Sequence, residues 1–335
     1  MKINDPGLFA VVVPTFEGTR FLKRMLDYFR HLRFAGRIVL ADNSSGAHRA
    51  FVAGCAADYA ELEIEVHAFP PDIRFLDKMV EALERTDSRY VMLHAHDDFM
   101  LPEPVESCVE FLAANPAYGV ARGRVAMFAL SRGADAHAGQ VGMSLTAHPM
   151  RGYEQDDAAE RVLNHIERYA STLYSIHRRQ DLIESFRVTE KATKNVIFFQ
   201  YLSSCISVLK GKVWCSEDLF YIRQGHADSW SGTLKQGDYE HWPMLITSPR
   251  FSDYYAEFRN TLSRLIEADL GISSSDAAGR IDRSALGLFQ RSFCGNEVDN
   301  AAEVRFAQRL NDPASAENRA LASIVEFAAR YPDTF

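Results

Sequence analysis

Apolar residues in the first third of the chain alternate between two rhythms. Leu8-Phe9-Ala10-Val11-Val12-Val13 is an unbroken apolar run closed by Pro14-Thr15, which predicts a strand buried on both faces of a parallel sheet. Leu22, Met25, Leu26, Phe29 and Leu32 follow at the spacing of one helical face. Ile38-Val39-Leu40-Ala41 is a second buried strand, running into Asp42-Asn43-Ser44-Ser45-Gly46, residues suited to loops and helix caps. Leu62, Ile64 and Val66 alternate with charged residues as a more exposed third strand. Phe75, Met79, Val80 and Leu83 predict another amphipathic helix, and Tyr90–Leu93 a fourth strand. Strands alternating with helices from Leu8 to Ala114 specify a doubly wound α/β unit.

The later pattern is less regular. Val120–Leu130 predicts a strand in which Arg122 and Arg124 point the same way. Gly133 to Gly152, rich in Gly, Ala and His, is expected to be one long loop. A helix (Asp156–Tyr169), a strand (Thr172–Ile176), two helices (Gln180–Phe186 and Val196–Leu209) and a strand (Lys212–Ile222) follow. From about Tyr254 the pattern is helical, with breaks at Ser273-Ser274-Ser275 and Asn311-Asp312-Pro313. This tail is expected to be added to the sheet rather than part of it. Its apolar faces, with Leu262, Leu265 and Ile266, suit either packing or a homodimer surface.

Composition narrows the function. The 335 residues allow one large domain or two modest ones, and 47% hydrophobic with 24% charged residues is ordinary for a globular chain. A net charge of −8 argues against a general nucleic-acid binder but permits a small anionic ligand held by local positive charge. The five cysteines show no C-x-x-C spacing, which favours reduced core thiols over disulfides or zinc. Met1–Pro6 is too short and polar for a signal peptide, and no apolar run reaches membrane-spanning length. The expected location is cytoplasmic.

Chemistry gathers at the strand ends. The fourth strand runs into His94-Ala95-His96-Asp97-Asp98-Phe99, and Pro102 opens the next helix. Carboxylates at the carboxyl end of a buried strand lie where α/β sheets bind ligands, and they are hard donors for Mg²⁺ or Mn²⁺ against a diphosphate. The competing role is helix capping. The first strand ends in Pro14-Thr15-Phe16-Glu17-Gly18 and the second in Asp42-Asn43-Ser44-Ser45. Parallel strands place all three tips on one edge. The absence of G-x-G-x-x-G after the first strand, and of a G-K-[ST] motif, leaves a dinucleotide fold and a P-loop enzyme unsupported.

These three tips, in this order and spacing, resemble the nucleotide-sugar-binding domain of family 2 glycosyltransferases. The likeness is closest to the bacterial subgroup with an Asp-Asp-Phe metal motif and a Lys after the third strand, here Lys78. It extends from Leu8 to about Gln224. The resemblance implies an α/β GT-A fold: a Rossmann-like, mostly parallel sheet flanked by helices. A GT-A domain would occupy 1–250, with a nucleotide-binding half (1–127) and an acceptor half (128–250), followed by a helical region at 251–335. Pro14, Thr15, Phe16 and Glu17 would rim the nucleoside pocket. Asp42, with Asn43 beside it, would accept a hydrogen bond from the base; the N–H of uracil suits this, so a UDP-sugar is the favoured donor. Asp97 would hold Mn²⁺ or Mg²⁺, with Asp98 beside it and His226 as a late ligand. Lys78 and Arg74 would face the diphosphate or hold Asp97. The implied reaction is metal-assisted transfer of a sugar, with inversion, to a saccharide or other hydroxyl acceptor. The implied setting is surface-polysaccharide or specialised-metabolite biosynthesis.

The chain departs from this pattern twice. Ala95 stands where the first acid of Asp-x-Asp falls, so either His96 substitutes as a ligand or Asp97 and Asp98 suffice. Gln200, in the helix before Gly211-Lys212, stands where the acceptor-activating carboxylate is expected, and glutamine cannot act as a base. Asp157, Asp156 and Glu217 are the candidate replacements, with Asp218 beside them; helix capping is the structural alternative for the aspartate pair. Arg122 and Arg124 either recognise an acidic acceptor or donor phosphates, or form an ion-paired face. Trp230 and Trp242 either stack on a sugar or pack in a core. These departures also admit a degenerate GT-A fold that binds a nucleotide or sugar, or acts as a scaffold, without transferase activity.

Overall fold

The computed structural model describes residues 5, 7–131, 142–148, 150–226, 246, 248–294, 301–331 and 334. Through the first half, strands and helices alternate as the apolar pattern specifies: β1 (Phe9–Thr15), α1 (Thr19–His31), β2 (Arg37–Asp42), α2 (Gly46–Asp58), β3 (Glu63–Ala68), α3 (Phe75–Arg85) and β4 (Tyr90–Leu93). A short β5 (Phe99–Met100) and α4 (Pro102–Ala114) complete that half. Next come β6 (Tyr118–Ser131), β7 (Gly142–His148), α5 (Ala158–Glu167), β8 (Ile176–Arg178), α6 (Arg179–Ala192), α7 (Val196–Lys210) and β9 (Lys212–Gly225). The last helices are α8 (Phe251–Leu270), α9 (Ser274–Cys294), α10 (Ala301–Asn311) and α11 (Ala316–Ala329).

One sheet runs β3-β2-β1-β4-β8-β6-β9-β5, with β7 on β6. The parallel expectation holds for the first four strands. β1 is central to them and pairs in parallel with β2 (Thr15 opposite Asp42) and β4 (Val12 opposite Leu93). Beyond β4 the sheet is mixed: β8 is antiparallel to β4 and β6, whereas β9 runs parallel to β6. β1 is unbrokenly apolar because both faces are covered, and Phe9 to Val13 have no solvent exposure.

Two expectations are corrected. Within the stretch from Gly133 to Gly152, residues 142–148 form β7, antiparallel to the far end of β6; in this segment Met143, Leu145 and Ala147 alternate with polar residues at the period of a strand. The strand expected at Thr172–Ile176 begins only at Ile176, because a turn closed by Ser175 N–H to Thr172 O (3.0 Å) takes the preceding residues. The tail is helical and outside the sheet, as expected, and its apolar faces pack internally. Phe258, Leu262 and Ile266 of α8 and Ile281 of α9 pack with Phe198 and Tyr201 of α7 in one core. Phe306 and Leu310 of α10 join Leu321, Ile324 and Phe327 of α11 in the core that holds Tyr28, Phe99 and Phe128. Leu262 and Ile266 therefore serve internal packing.

Cys55, Cys108 and Cys205 are buried free thiols, and burial raises the thiol pKa of each. Among the described residues, no helix is long and apolar enough to cross a membrane.

Close approach of backbones fixes the α7–β9 corner. A Cβ at Gly211 would lie 2.5 Å from the backbone nitrogen of Gly119. Gly211→Ala is expected to destabilise the protein by about 1–3 kcal/mol, measured by urea denaturation.

Candidate functional site

A cleft of about 1290 Å³ opens at the carboxyl ends of β1, β2 and β4. Pro14, Thr15, Phe16, Glu17 and Gly18 form one side and Asn43 and Lys78 lie beside them. His96, Asp97 and Asp98 form a second side, and Leu173, Tyr174, Phe199, Gln200 and Arg223 also line the cleft.

At the β1–β2 end, buried polar groups answer one another. The Thr15 hydroxyl donates to Asp42 Oδ1 at 2.8 Å, and that same oxygen accepts the Ser44 N–H at 3.2 Å. Lys78, in the first turns of α3, donates to Thr15 O at 3.1 Å and Asn43 Oδ1 at 2.6 Å. Burial is the main influence on the Lys78 amine, pushing its pKa down to about 8, with Asp42 opposing it. Asp42 itself is 1% exposed and does not line the cleft, whereas its neighbour Asn43, just past the end of β2, does.

The loop after β1 is held in an uncommon shape. Glu17 has a φ of 52°, in the left-handed region, and its carboxylate accepts from Ser45 N–H (2.9 Å) and Ser45 Oγ (2.8 Å). Those bonds hold the Glu17 carboxyl below its ordinary pKa, with help from His48 at 3.2 Å. Phe16 is thereby left 58% exposed at the mouth of the cleft.

At the β4 end, two adjacent carboxyl groups differ sharply. Burial opposes ionisation of Asp97, but the hydrogen bond with His226 (2.8 Å between Asp97 Oδ2 and Nε2), with His96 nearby, outweighs it and lowers the pKa. Asp98 is 3% exposed; burial and the adjacent Asp97 charge raise its pKa, and Arg223 at 3.7 Å offsets them only in part. The pair therefore favours one charge, placed on Asp97. His226 stacks on Phe21 with ring centroids 4.3 Å apart. His96 lies over Gly18, where an added Cβ would sit 1.9 Å from its Nε2. His94 is a core residue, set edge-on between Phe29 and Tyr221, and burial lowers its pKa to about 3.

Several sequence candidates lie elsewhere. Asp157 is the N-cap of α5, accepting from Ala159 N–H (2.7 Å) and Glu160 N–H (3.1 Å). Asp156 is exposed and paired with Lys212, and Glu217 pairs with Arg124 at 2.6 Å. None of the three lines the cleft. The capping geometry that favours an aspartate before a helix has used Asp157, and ion pairs with Lys212 and the buried Arg124 have used the others. Arg74 is likewise outside, joined to Asp77 and Glu190 on the surface. Arg122 serves the chain's own backbone, donating to the carbonyls of Ala170, Ser171 and Arg151. Arg124 donates to Met150 O at 2.5 Å. Trp230 and Trp242 lie outside the described residues.

The sequence pattern did not assign a role to Arg24 or Gln224, whereas Tyr174, in the Tyr174–Arg178 stretch that resembles the family's acceptor-side strand, does line the cleft. Arg24 is fully buried in α1 and donates to the Asp97 carbonyl at 2.6 Å, while Gln224 N–H donates to Asp98 Oδ1 at 2.9 Å. The available signal was a basic residue sitting among Phe21, Leu22, Met25 and Leu26 on a helix that follows the first strand.

No protein-family model matches the chain, and no curated protein matches its sequence. Solved structures do resemble it. The TarS fragment 1–349 of S. aureus superimposes with a TM-score of 0.50 at 11% identity, over 93% of this chain and 77% of that one. The same fragment in complex with UDP gives 0.46 at 12% identity, over 87% and 73%. The mannosyltransferase PcManGT from Pyrobaculum calidifontis, in complex with GDP-Man and Mn²⁺, gives 0.44 at 12% identity, over 99% and 87%. The fold is GT-A, followed by a helical region.

The placement of Asp157 yields a test. Asp157→Ala is expected to cost about 1 kcal/mol of stability through the lost cap, with ligand binding in the cleft unchanged. Thermal denaturation and titration calorimetry on one preparation measure both; a large loss of binding would return Asp157 to the site.

Proposed function

We propose that the chain is a glycosyltransferase that binds a nucleotide-sugar, a UDP-sugar first among them, in this cleft. It would transfer the sugar to a hydroxyl of a saccharide or other acceptor. The observation that carries the reading is the Asp97 carboxylate just past the end of β4, in the same cleft as the Lys78 amine at the tips of β1 and β2. A diphosphate needs cationic or metal contacts along its length, and a sugar needs a polar, partly aromatic wall beyond it. The GT-A fold supports the same reading.

Each residue then has a stated task. Phe16, Glu17, Pro14 and Thr15 shape the nucleoside end, and Asn43 offers an amide there. Two of the three Lys78 N–H groups are used within the protein, and the third serves a phosphate oxygen. Among the described residues, no three His, Cys, Asp or Glu side chains converge as a self-sufficient metal site. The donors present still fit Mn²⁺ or Mg²⁺ in the manner common at phosphate sites, where one or two protein ligands are completed by phosphate oxygens and water. Asp97 would supply the carboxylate, with His226 and His96 beside it. The cation would supply Lewis-acid stabilisation of the departing diphosphate. Tyr174, Phe199 and Gln200 face the acceptor; Gln200 can orient a hydroxyl but cannot take its proton.

That last point favours a second reading, a binding protein on the same fold. The carboxylates of the described cleft are Glu17, Asp97 and Asp98, and each is engaged by neighbours within the protein. Slow release of UDP from a UDP-sugar without acceptor would favour the enzyme, whereas tight binding with neither hydrolysis nor transfer would favour the binding protein.

Titration calorimetry of UDP with Mn²⁺ present is the primary test, and absence of any nucleotide binding would sink both readings. Asp97→Asn is expected to abolish the metal-dependent part of the affinity. The Lys78 amine gives a pH dependence of definite sign: its charge fades as pH rises through about 8, so UDP-sugar affinity should weaken from pH 7 to pH 9. Lys78→Met should bind more weakly and flatten that profile; an unchanged profile would remove Lys78 from the diphosphate site.

A further inference from the structure

A guanidinium sealed from water is costly unless its donors are answered. Arg24 Nη1 donates to Thr334 Oγ1 at 2.8 Å and also to Gln224 Oε1, and Nη2 donates to the Asp97 carbonyl at 2.6 Å. The same guanidinium lies over the Phe99 ring at 4.8 Å. Gln224 closes the circuit: its Nε2 donates to Thr334 O at 2.8 Å, and its main-chain N–H holds Asp98 Oδ1 at 2.9 Å. Thr334 is 1% exposed and donates its hydroxyl to Tyr331 O at 2.7 Å. A residue beyond α11 thus stands one guanidinium away from the Asp97 backbone.

We propose that Arg24, Gln224 and Thr334 are positioning residues that fix the Asp97–Asp98 turn, making Thr334, beyond α11, a working part of the cleft's support. The need is local. The β4 ladder with β1 ends near His94, whose N–H donates to Val12 O at 3.0 Å. Past that point the turn has its own Asp98 N–H to Ala95 O bond (3.1 Å) and an Ala95 N–H to Tyr221 Oη bond (3.1 Å). Sheet pairing does not reach the Asp97 carbonyl; Arg24 does. Holding it limits where the Asp97 carboxylate can swing, and holding Asp98 through Gln224 keeps the two carboxyl groups on different partners. The strap acts on the backbone of the turn and touches no reacting atom.

Hydrogen–deuterium exchange of the peptide spanning 90–100 tests this without any ligand. Thr334→Val keeps the volume and removes the hydroxyl that Arg24 grips. It is expected to speed exchange of the Ala95–Asp98 amides by about tenfold. Arg24→Lys, which cannot reach all three acceptors, should do the same; if it fails to fold, Thr334→Val decides. Tyr331→Phe is the control, because it removes a bond to Asp27 (2.8 Å) from the same segment while leaving the strap intact. Exchange unchanged in Thr334→Val, or raised as much in Tyr331→Phe, would overturn the proposal. A second readout rests on the donor-binding reading: UDP–Mn²⁺ affinity should fall about three- to tenfold in Thr334→Val and stay unchanged in Tyr331→Phe. Unchanged affinity in Thr334→Val would refute the positioning role where the wild type binds. A wild type that binds no nucleotide would refute the donor reading and leave the exchange result standing.

Discussion

Parallel pairing of β1 with a strand on each side is the constraint on which the rest depends. A strand flanked in parallel by β2 and β4 must finish where they finish, so three polar tips are delivered to one edge regardless of what the loops contain. The apolar content of β1 enforces this, because a strand with no exposed residue from Phe9 to Val13 has nowhere to go but the middle of the sheet. Helices then pack over both faces, and the polar groups at the ends of β1, β2 and β4 are gathered where those strands stop.

Once the tips are together, their charges sort themselves by burial and partners. Asp97 keeps its charge because an imidazole is hydrogen-bonded to it, and Asp98 tends to lose its own because it is deeper and beside a like charge. Two adjacent, chemically identical side chains thereby become different groups. The same logic makes Lys78 a weaker base than a surface lysine. Environment, more than residue type, sets what each group can do here.

Much of this was legible in the sequence, and the failures have physical causes. Continuous apolar runs gave away β1, β2 and β4, and their tips pointed to Thr15, Glu17, Asn43, Lys78 and Asp97, all of which the fold brings to the cleft or its lining groups. Side-chain direction at a strand end was not legible, which is why Asp42 turned out to be sealed behind Thr15 and Ser44. Asp157 carried a pattern that serves capping and catalysis equally well, and only three-dimensional placement separates them. β7 was hidden inside a stretch rich in Gly, Ala and His, although Met143, Leu145 and Ala147 do alternate there with polar residues. Arg24 and Thr334, 310 residues apart, could not be linked by any local periodicity.

The contact between Gly18 and His96 carries a broader consequence. The imidazole rests directly on bare backbone at the start of α1, in the space a methyl group would fill. The depth of the cleft floor is therefore set by a missing atom rather than by one that is present. Any larger residue at position 18 would have to displace that ring, and both Gly18 and His96 line the cleft. A single hydrogen in place of a side chain thus acts as the gauge for how large an occupant this end of the cleft can accept.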